Sequence, residues 1–147
     1  MKLTRATCYA LHALAYMAAQ KDHRTPVASH LIAQEKGIPE RFLLKVLKPL
    51  VDRGVLDSVK GPRGGYKLAR AASDITVLEI IEGSENRPII GKAEPPQPKP
   101  DDLRDFPNFR PENVSLVHNK LNTMCKQAAD TVRKQFAKVK LSDLIKK

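Results

Sequence analysis

Gly37-Ile38-Pro39-Glu40-Arg41-Phe42-Leu43-Leu44-Lys45-Val46-Leu47-Lys48-Pro49-Leu50-Val51-Asp52-Arg53-Gly54 runs directly into Val55-Leu56-Asp57-Ser58-Val59-Lys60 and then Gly61-Pro62-Arg63-Gly64-Gly65-Tyr66-Lys67-Leu68. The first segment repeats apolar residues at helical spacing, with Phe42, Leu43, Val46, Leu47, Leu50 and Val51 on one face. Gly54 predicts the end of that helix, because a residue without a Cβ enters the left-handed conformation at little steric cost. Two short β-prone runs follow, residues 55–60 and 66–68. Between them, a proline at the second position of a turn and two glycines that tolerate positive φ predict a hairpin. A short turn, an amphipathic helix and a glycine-tipped hairpin are the parts of a winged helix-turn-helix. Residues 37–72 carry eight Lys or Arg against three acids, an excess of five that suits a surface meeting phosphates.

The rest of the composition agrees. A chain of 147 residues has room for one ordinary domain plus an arm or helix. The hydrophobic fraction of 41% suffices for a modest core, and the net charge of +10 points to a polyanionic partner, nucleic acid before membrane. No apolar run approaches the roughly 18–20 residues of a bilayer span. The start, Met1-Lys2-Leu3-Thr4-Arg5, lacks the apolar core and cleavage site of a signal peptide, so a cytoplasmic protein is expected. Two cysteines, Cys8 and Cys125, are too few for a disulfide framework.

Outward from the reading segment, residues 3–20 read as a first helix. Thr4 is its cap, and Leu3, Thr7, Ala10, Leu11, Leu14, Met17 and Ala18 lie near one face. Pro26 marks a fresh start. Residues 27–36, with Val27, Leu31 and Ile32 as a short stripe, read as the first helix of the helix-turn-helix, and Gly37-Ile38 as its turn. Pro39 suits the first turn of the next helix. Pro49 is the misfit: it removes a hydrogen bond and clashes with the preceding turn, so a kink or an early end near Lys48 is expected.

Beyond the hairpin, Thr76 and Glu79 form a capping box, with Ile75 stapled onto Ile80, and predict a short helix from Val77 to about Glu82. Seven of the eleven prolines fall within residues 83–111, predicting a long, poorly ordered linker. From Glu112, Val114, Val117, Leu121, Met124, Ala128, Val132, Phe136 and Val139 step by three and four, opposite Lys120, Lys126, Lys134 and Lys138. A lone helix of about 26 residues with one apolar stripe must bury it, and a second copy of itself is the expected partner. The apolar tail Leu141-Ser142-Asp143-Leu144-Ile145, with Ser142 as its cap, is expected to fold back on the partner's head. The fold class is therefore mainly α with a small β-hairpin. Residues 1–83 form a winged helix-turn-helix head, 84–111 a proline-rich flexible loop, and 112–147 a dimerisation helix and tail.

Met1-Lys2-Leu3-Thr4, Tyr9-Ala10-Leu11-His12-Ala13-Leu14, Gly37-Ile38-Pro39 and Val59-Lys60-Gly61-Pro62-Arg63-Gly64-Gly65-Tyr66-Lys67-Leu68-Ala69-Arg70 together resemble the bacterial Rrf-two (IscR/NsrR-like) family of transcriptional regulators. The resemblance runs without gaps from Met1 to about Gly83, and the long C-terminal helix and tail correspond in type. It implies a homodimer whose long helices cross, with two heads on a palindromic operator in double-stranded DNA, and a repressor as the expected role. Cluster-binding members carry three cysteines in the loop before the dimer helix. Residues 84–111 here contain neither Cys nor His, so a cluster ligated in that way is not possible, and no metal or cofactor is expected.

Cys8 and His12, one helical turn apart, and His118 and Cys125, two turns apart, remain as candidate ligands. In some members a residue near position 8 completes a cluster across the dimer. The plainer reading packs Cys8 as a small apolar residue and leaves His12 at the solvent edge. Any signal then falls to a small-molecule effector, a partner, or thiol chemistry at Cys8.

Pro39 opens the reading helix, and Arg41, Lys45 and Lys48 lie along its exposed side as candidate DNA contacts. Glu40 either accepts from a cytosine amino group or sits in the positive end of the helix dipole. Leu44 stands where family members often carry a polar base-reading residue, and suits a thymine methyl. Thr4 and Arg5, at a helix N-terminus, suit a phosphate. On the wing, Lys60, Arg63, Gly64 and Tyr66 are the candidates, a narrow tip with one Arg being suited to the minor groove. No Ser/His/Asp set, phosphate loop or carboxylate pair suggests an enzyme. The competing readings are an RNA- or ribosome-binding winged helix and a metal or redox sensor using Cys8 and His12; two-fold symmetry favours duplex DNA.

Overall fold

A computed structural model of the chain describes residues 3–22, 25–85 and 111–146, with the side chains of 111–115 excepted. The chain falls into two units, Met1–Ile89 with Arg133–Lys147, and Ile90–Val132. In the first unit, Thr4 is extended and its hydroxyl accepts the Thr7 N–H at 3.2 Å, which starts α1 at Arg5–Ala18. Its buried face, Thr7, Ala10, Ala13, Leu14, Met17 and Ala18, is small enough for α3 (Glu40–Asp52) and α4 (Val77–Glu85) to pack closely on it.

Between them comes α2, Ser29–Lys36. It and α3 end in the same way. At Gly37 (φ 61°) the Ile38 N–H reaches the Ala33 carbonyl at 2.9 Å; at Gly54 (φ 66°) the Val55 N–H reaches the Leu50 carbonyl at 2.9 Å. Each is a six-to-one bond closing over a left-handed residue, and a side chain at either glycine would be strained.

α3 does not end near Lys48 as its proline suggested. The helix passes through Pro49 to Asp52, and the Arg53 N–H bonds to the Pro49 carbonyl at 3.2 Å. Pro49 forfeits the one bond its own N–H would have made. Complete burial of Leu47 and Leu50, each worth ~1.5–3 kcal/mol, outweighs that loss. Pro39 is also one place earlier than expected, at the N-cap of α3.

The hairpin pairs β1 (Leu56–Val59) with β2 (Gly65–Leu68), in register from Leu56↔Leu68 to Val59↔Gly65. Its tip is a turn in which the Gly64 N–H bonds to the Gly61 carbonyl at 2.9 Å, with Pro62 at the second position. The residues with positive φ are Gly61 (108°) and Gly65 (151°), rather than the adjacent pair Gly64 and Gly65. Gly64 is required for space, since a Cβ there would meet the Val59 carbonyl oxygen at 2.2 Å.

Val27 corrects a further expectation. It precedes α2 and exchanges two 2.8 Å backbone bonds with Tyr66, adding a one-residue third strand to the wing. Leu31, expected on the buried stripe, is 45% exposed.

The capping box at α4 is present. Thr76 Oγ1 accepts the Glu79 N–H at 3.1 Å, and Glu79 Oε2 accepts the Thr76 N–H at 2.9 Å. Ile75 and Ile80 beside it are fully buried. The helix runs on past Glu82 to Glu85, with Gly83 and Ser84 buried. Of the linker expected over 84–111, residues 84 and 85 belong to α4 and Pro111 opens the last helix, while 86–110 lie outside the described residues.

α5 spans Pro111–Lys138 and is followed by a 3-10 turn, Leu141–Leu144. Val139, expected on the helical stripe, instead accepts the Val77 N–H at 2.9 Å. Leu141 donates to the Ile75 carbonyl at 2.9 Å, and Ser142 to the Ala72 carbonyl at 3.1 Å. The tail, expected on the head of a second copy, docks on the head of its own chain, where Leu141 completes the core with no exposed surface. Lys140, not Ser142, holds the cap position.

Leu141→Ala is expected to cost about 2–5 kcal/mol in urea unfolding, as loss of a filled core position does; an unchanged midpoint would show that the tail is not part of the head. At the capping box, burial raises the Glu79 carboxyl, but hydrogen bonds from Thr76 and Arg70 outweigh it and hold the group below its ordinary 4.5. A depressed carboxylate contributes stability above its unfolded pKa and loses it as pH falls through the folded value. Glu79→Gln should therefore be less stable than the parent at neutral pH, with the gap closing as pH drops below the carboxylate range in thermal melts. Thr76→Ala should cost about 1 kcal/mol.

Candidate nucleic-acid interface

Burial of Leu43, Val46, Leu47 and Leu50 sets the rotation of α3, and thereby leaves Arg41, Leu44, Lys45 and Lys48 facing solvent. The wing strands hold Lys60 and Arg63 at an exposed tip, with Gly64 and Tyr66 half-buried behind it. None of these five basic side chains forms an ion pair among the described residues. Other basic residues counted in the sequence are used inside the head. Arg70 pairs with Glu79 at 2.8 Å, and Lys67 faces Asp57 at 4.0 Å.

Two acceptors in the region are also occupied. Glu40 Oε1 accepts the Ser29 hydroxyl at 2.8 Å, which ties the N-terminal ends of α2 and α3 together. At the start of α1, Thr4 Oγ1 donates to Glu85 Oε1, and Thr7 Oγ1 donates to the same oxygen at 3.0 Å. An internal carboxylate therefore sits where the sequence suggested a phosphate, while Arg5 beside it is exposed.

Between the start of α2, Leu44 of α3 and the wing lies a cleft of about 340 Å³, lined by Ala28, Ser29, His30, Leu44, Ser58, Val59 and the hairpin tip with Tyr66. The sequence reading missed Ser29, His30 and Ser58. Ser29 and His30 stand at the start of α2, one turn after Pro26, and that helix start was the available signal. They reach the cleft because the Val27–Tyr66 bridge brings the entry to α2 against β2.

Residues 3–147 match the Rrf2 family model, described as an iron-dependent transcriptional regulator. A protein of Aquifex aeolicus named as an HTH-type transcriptional regulator is 50% identical over 74 residues, 50% of each chain. The HTH-type transcriptional regulator IscR of Cereibacter sphaeroides is 38% identical over 86 residues, 58% of this chain and 56% of that one. The chain spans about half the length of the curated relatives it matches. CymR (YrzC), the global cysteine regulator of B. subtilis, has the same fold: TM-score 0.65 at 23% identity, over 99% of this chain and 96% of that one.

Among the described residues the iron in the family's description has no set of converging ligands. An iron–sulfur cluster takes about four protein ligands, mainly thiolates, and the chain has two cysteines. Cys8 is half-buried with His12 exposed a turn away, and His118 Nε2 lies 2.8 Å from the Asn122 amide nitrogen. Among the described residues no three His, Cys, Asp or Glu side chains converge as metal ligands would. Among the described residues the donor set does not fit a cluster. A family model covering residues 3–147, on a winged head with this architecture, places the chain in the Rrf2 family of transcriptional regulators.

Proposed function

We propose that the chain is a cytoplasmic, DNA-binding regulator that acts as a homodimer on a palindromic operator and represses by occupying it. The carrying observation is the set Arg41, Lys45, Lys48, Lys60 and Arg63, exposed on two elements that flank one cleft and free of ion pairs among the described residues. Charges spent on internal pairs would contribute little to phosphate affinity; charges left in water release counterions on binding. α3 reads the major groove in this arrangement, and the wing enters the minor groove with Arg63. Among the described residues no helix is long and apolar enough to cross a membrane.

The dimer is supported by α5. Val117 (59%), Leu121 (47%) and Met124 (64%) stand exposed along the expected stripe, Leu116 (60%) widens it, and Ala128 is exposed beyond them. Val132 and Phe136 are half-buried. A row of large apolar side chains in water marks an interaction face, and a self-complementary contact gives the two-fold symmetry of a palindrome. The regulator works without the family's three-cysteine cluster, and its signal is read by other means, such as a small-molecule effector.

A salt titration against duplex DNA and structured RNA tests the reading. The parent is expected to prefer duplex, and Arg63→Ala to weaken binding by about 1–3 kcal/mol, most on operators with A·T-rich flanks. Tighter binding to structured RNA sinks the proposal; Arg63→Ala matching the parent on every duplex removes the wing from the groove. Replacing Leu121 and Met124 together by Asp is expected to abolish the dimer in light scattering and operator affinity with it. A monomeric parent at micromolar concentration would end the dimer reading.

A further inference from the structure

The first two turns of α3 offer few apolar side chains for reading bases. Glu40 is held by Ser29 at 2.8 Å, and the Phe42 ring meets Tyr9 edge to face at 5.5 Å. Arg41 and Lys45 are charged and exposed. Leu44 stands apart from both groups. It is 38% exposed, belongs to no part of the core cluster, and lines the cleft together with Val59 and Pro62 of the wing. Core packing does not require an apolar residue there.

A helix in the major groove and a wing in the neighbouring minor groove leave one sugar–phosphate strand between them, and the cleft is the space available for it. Ser29, His30, Ser58 and Tyr66 supply polar groups around that space, and Leu44, Val59 and Pro62 supply apolar ones. On the major-groove edge of a base pair the apolar group is the C5 methyl of thymine. That methyl projects from the side of the base nearest its own backbone, toward a side chain at the mouth of the cleft.

We propose that Leu44 makes operator recognition depend on a C5 methyl group at one position of each half-site. Thymine satisfies it, and so does cytosine methylated at C5, whereas uracil and unmodified cytosine do not. Operator affinity is then sensitive to C5 methylation of the DNA. This inference rests on the DNA-binding reading above, and the basic side chains beside Leu44 do not distinguish thymine from uracil.

The test begins with an operator selected from random duplexes by the full chain. Each thymine is replaced in turn by uracil, and binding is titrated for the parent, Leu44→Ala and Leu44→Ser. Uracil at one thymine per half-site is expected to weaken the parent about fourfold, the worth of one buried methyl, and to leave both variants unaffected. At that position a 5-methylcytosine·guanine pair should bind the parent about fourfold better than cytosine·guanine. Circular dichroism of the variants should match the parent, since Leu44 lies outside the core. If the parent binds its operator selectively but ignores every uracil, or if the variants lose as much as the parent, the methyl contact is wrong and DNA binding stands. If no duplex is bound selectively, both readings fall.

Discussion

Three residues, Arg53, Gly54 and Val55, connect α3 to the wing, and the hydrogen bond from the Val55 N–H to the Leu50 carbonyl at 2.9 Å sets their path. Leu50 and Val55, at the two ends of that bond, are both in the core. The positive φ of Gly54 lets the chain reverse between them without strain. Leu50 is also what α4 packs against: a Cβ added at Gly83 would come within 2.6 Å of Leu50 Cδ2. The rotation of α3, the direction of the wing and the approach of α4 therefore depend on one buried corner. The cleft beside Leu44 and the hairpin takes part of its shape from that corner.

Electrostatics in the head are divided by local bonding. Glu79 sits among basic residues, yet its oxygens are taken by Thr76 and Arg70. Glu40, at the mouth of the interface, is taken by Ser29. On α3 and the wing tip, exposed Arg41, Lys45, Lys48, Lys60 and Arg63 outnumber exposed Glu40 and Asp52. Arg70 and Lys67, which face Glu79 and Asp57, add little field at a distance, so the basic surface lies on α3 and the wing tip.

The C-terminal segment joins the same core. Val139, Leu141 and Ser142 bond to the backbone around α4, and Arg133 pairs with Glu82. Those bonds tie the end of the long helix into the first unit. Displacement of that end would have to move Leu141, which is packed with Leu14, Leu43 and Ile75 in one cluster. A densely packed core resists such displacement in small steps.

Local chemistry was enough to read the helices, the hairpin and some of their ends. Apolar residues at helical spacing put Leu43, Val46, Leu47 and Leu50 inside and Arg41, Lys45 and Lys48 outside. Gly37 and Gly54 stop helices by a conformational preference of single residues, and Thr76 with Glu79 caps one over four positions. The sequence could not show what depends on partners far along the chain. Pro49 stays helical because distant side chains bury Leu47 and Leu50; Val27 becomes a strand because Tyr66 comes alongside it. Glu85 reaches Thr7 across 78 residues, and the tail finds Ile75 and Ala72 on its own head. The cleft that collects Ser29, His30, Leu44 and Ser58 exists only once those pairings have formed. Periodicity and capping are properties of a few neighbouring residues, and so the sequence alone determined them. Which surfaces meet is a property of the whole packed core, and only the tertiary structure decided it.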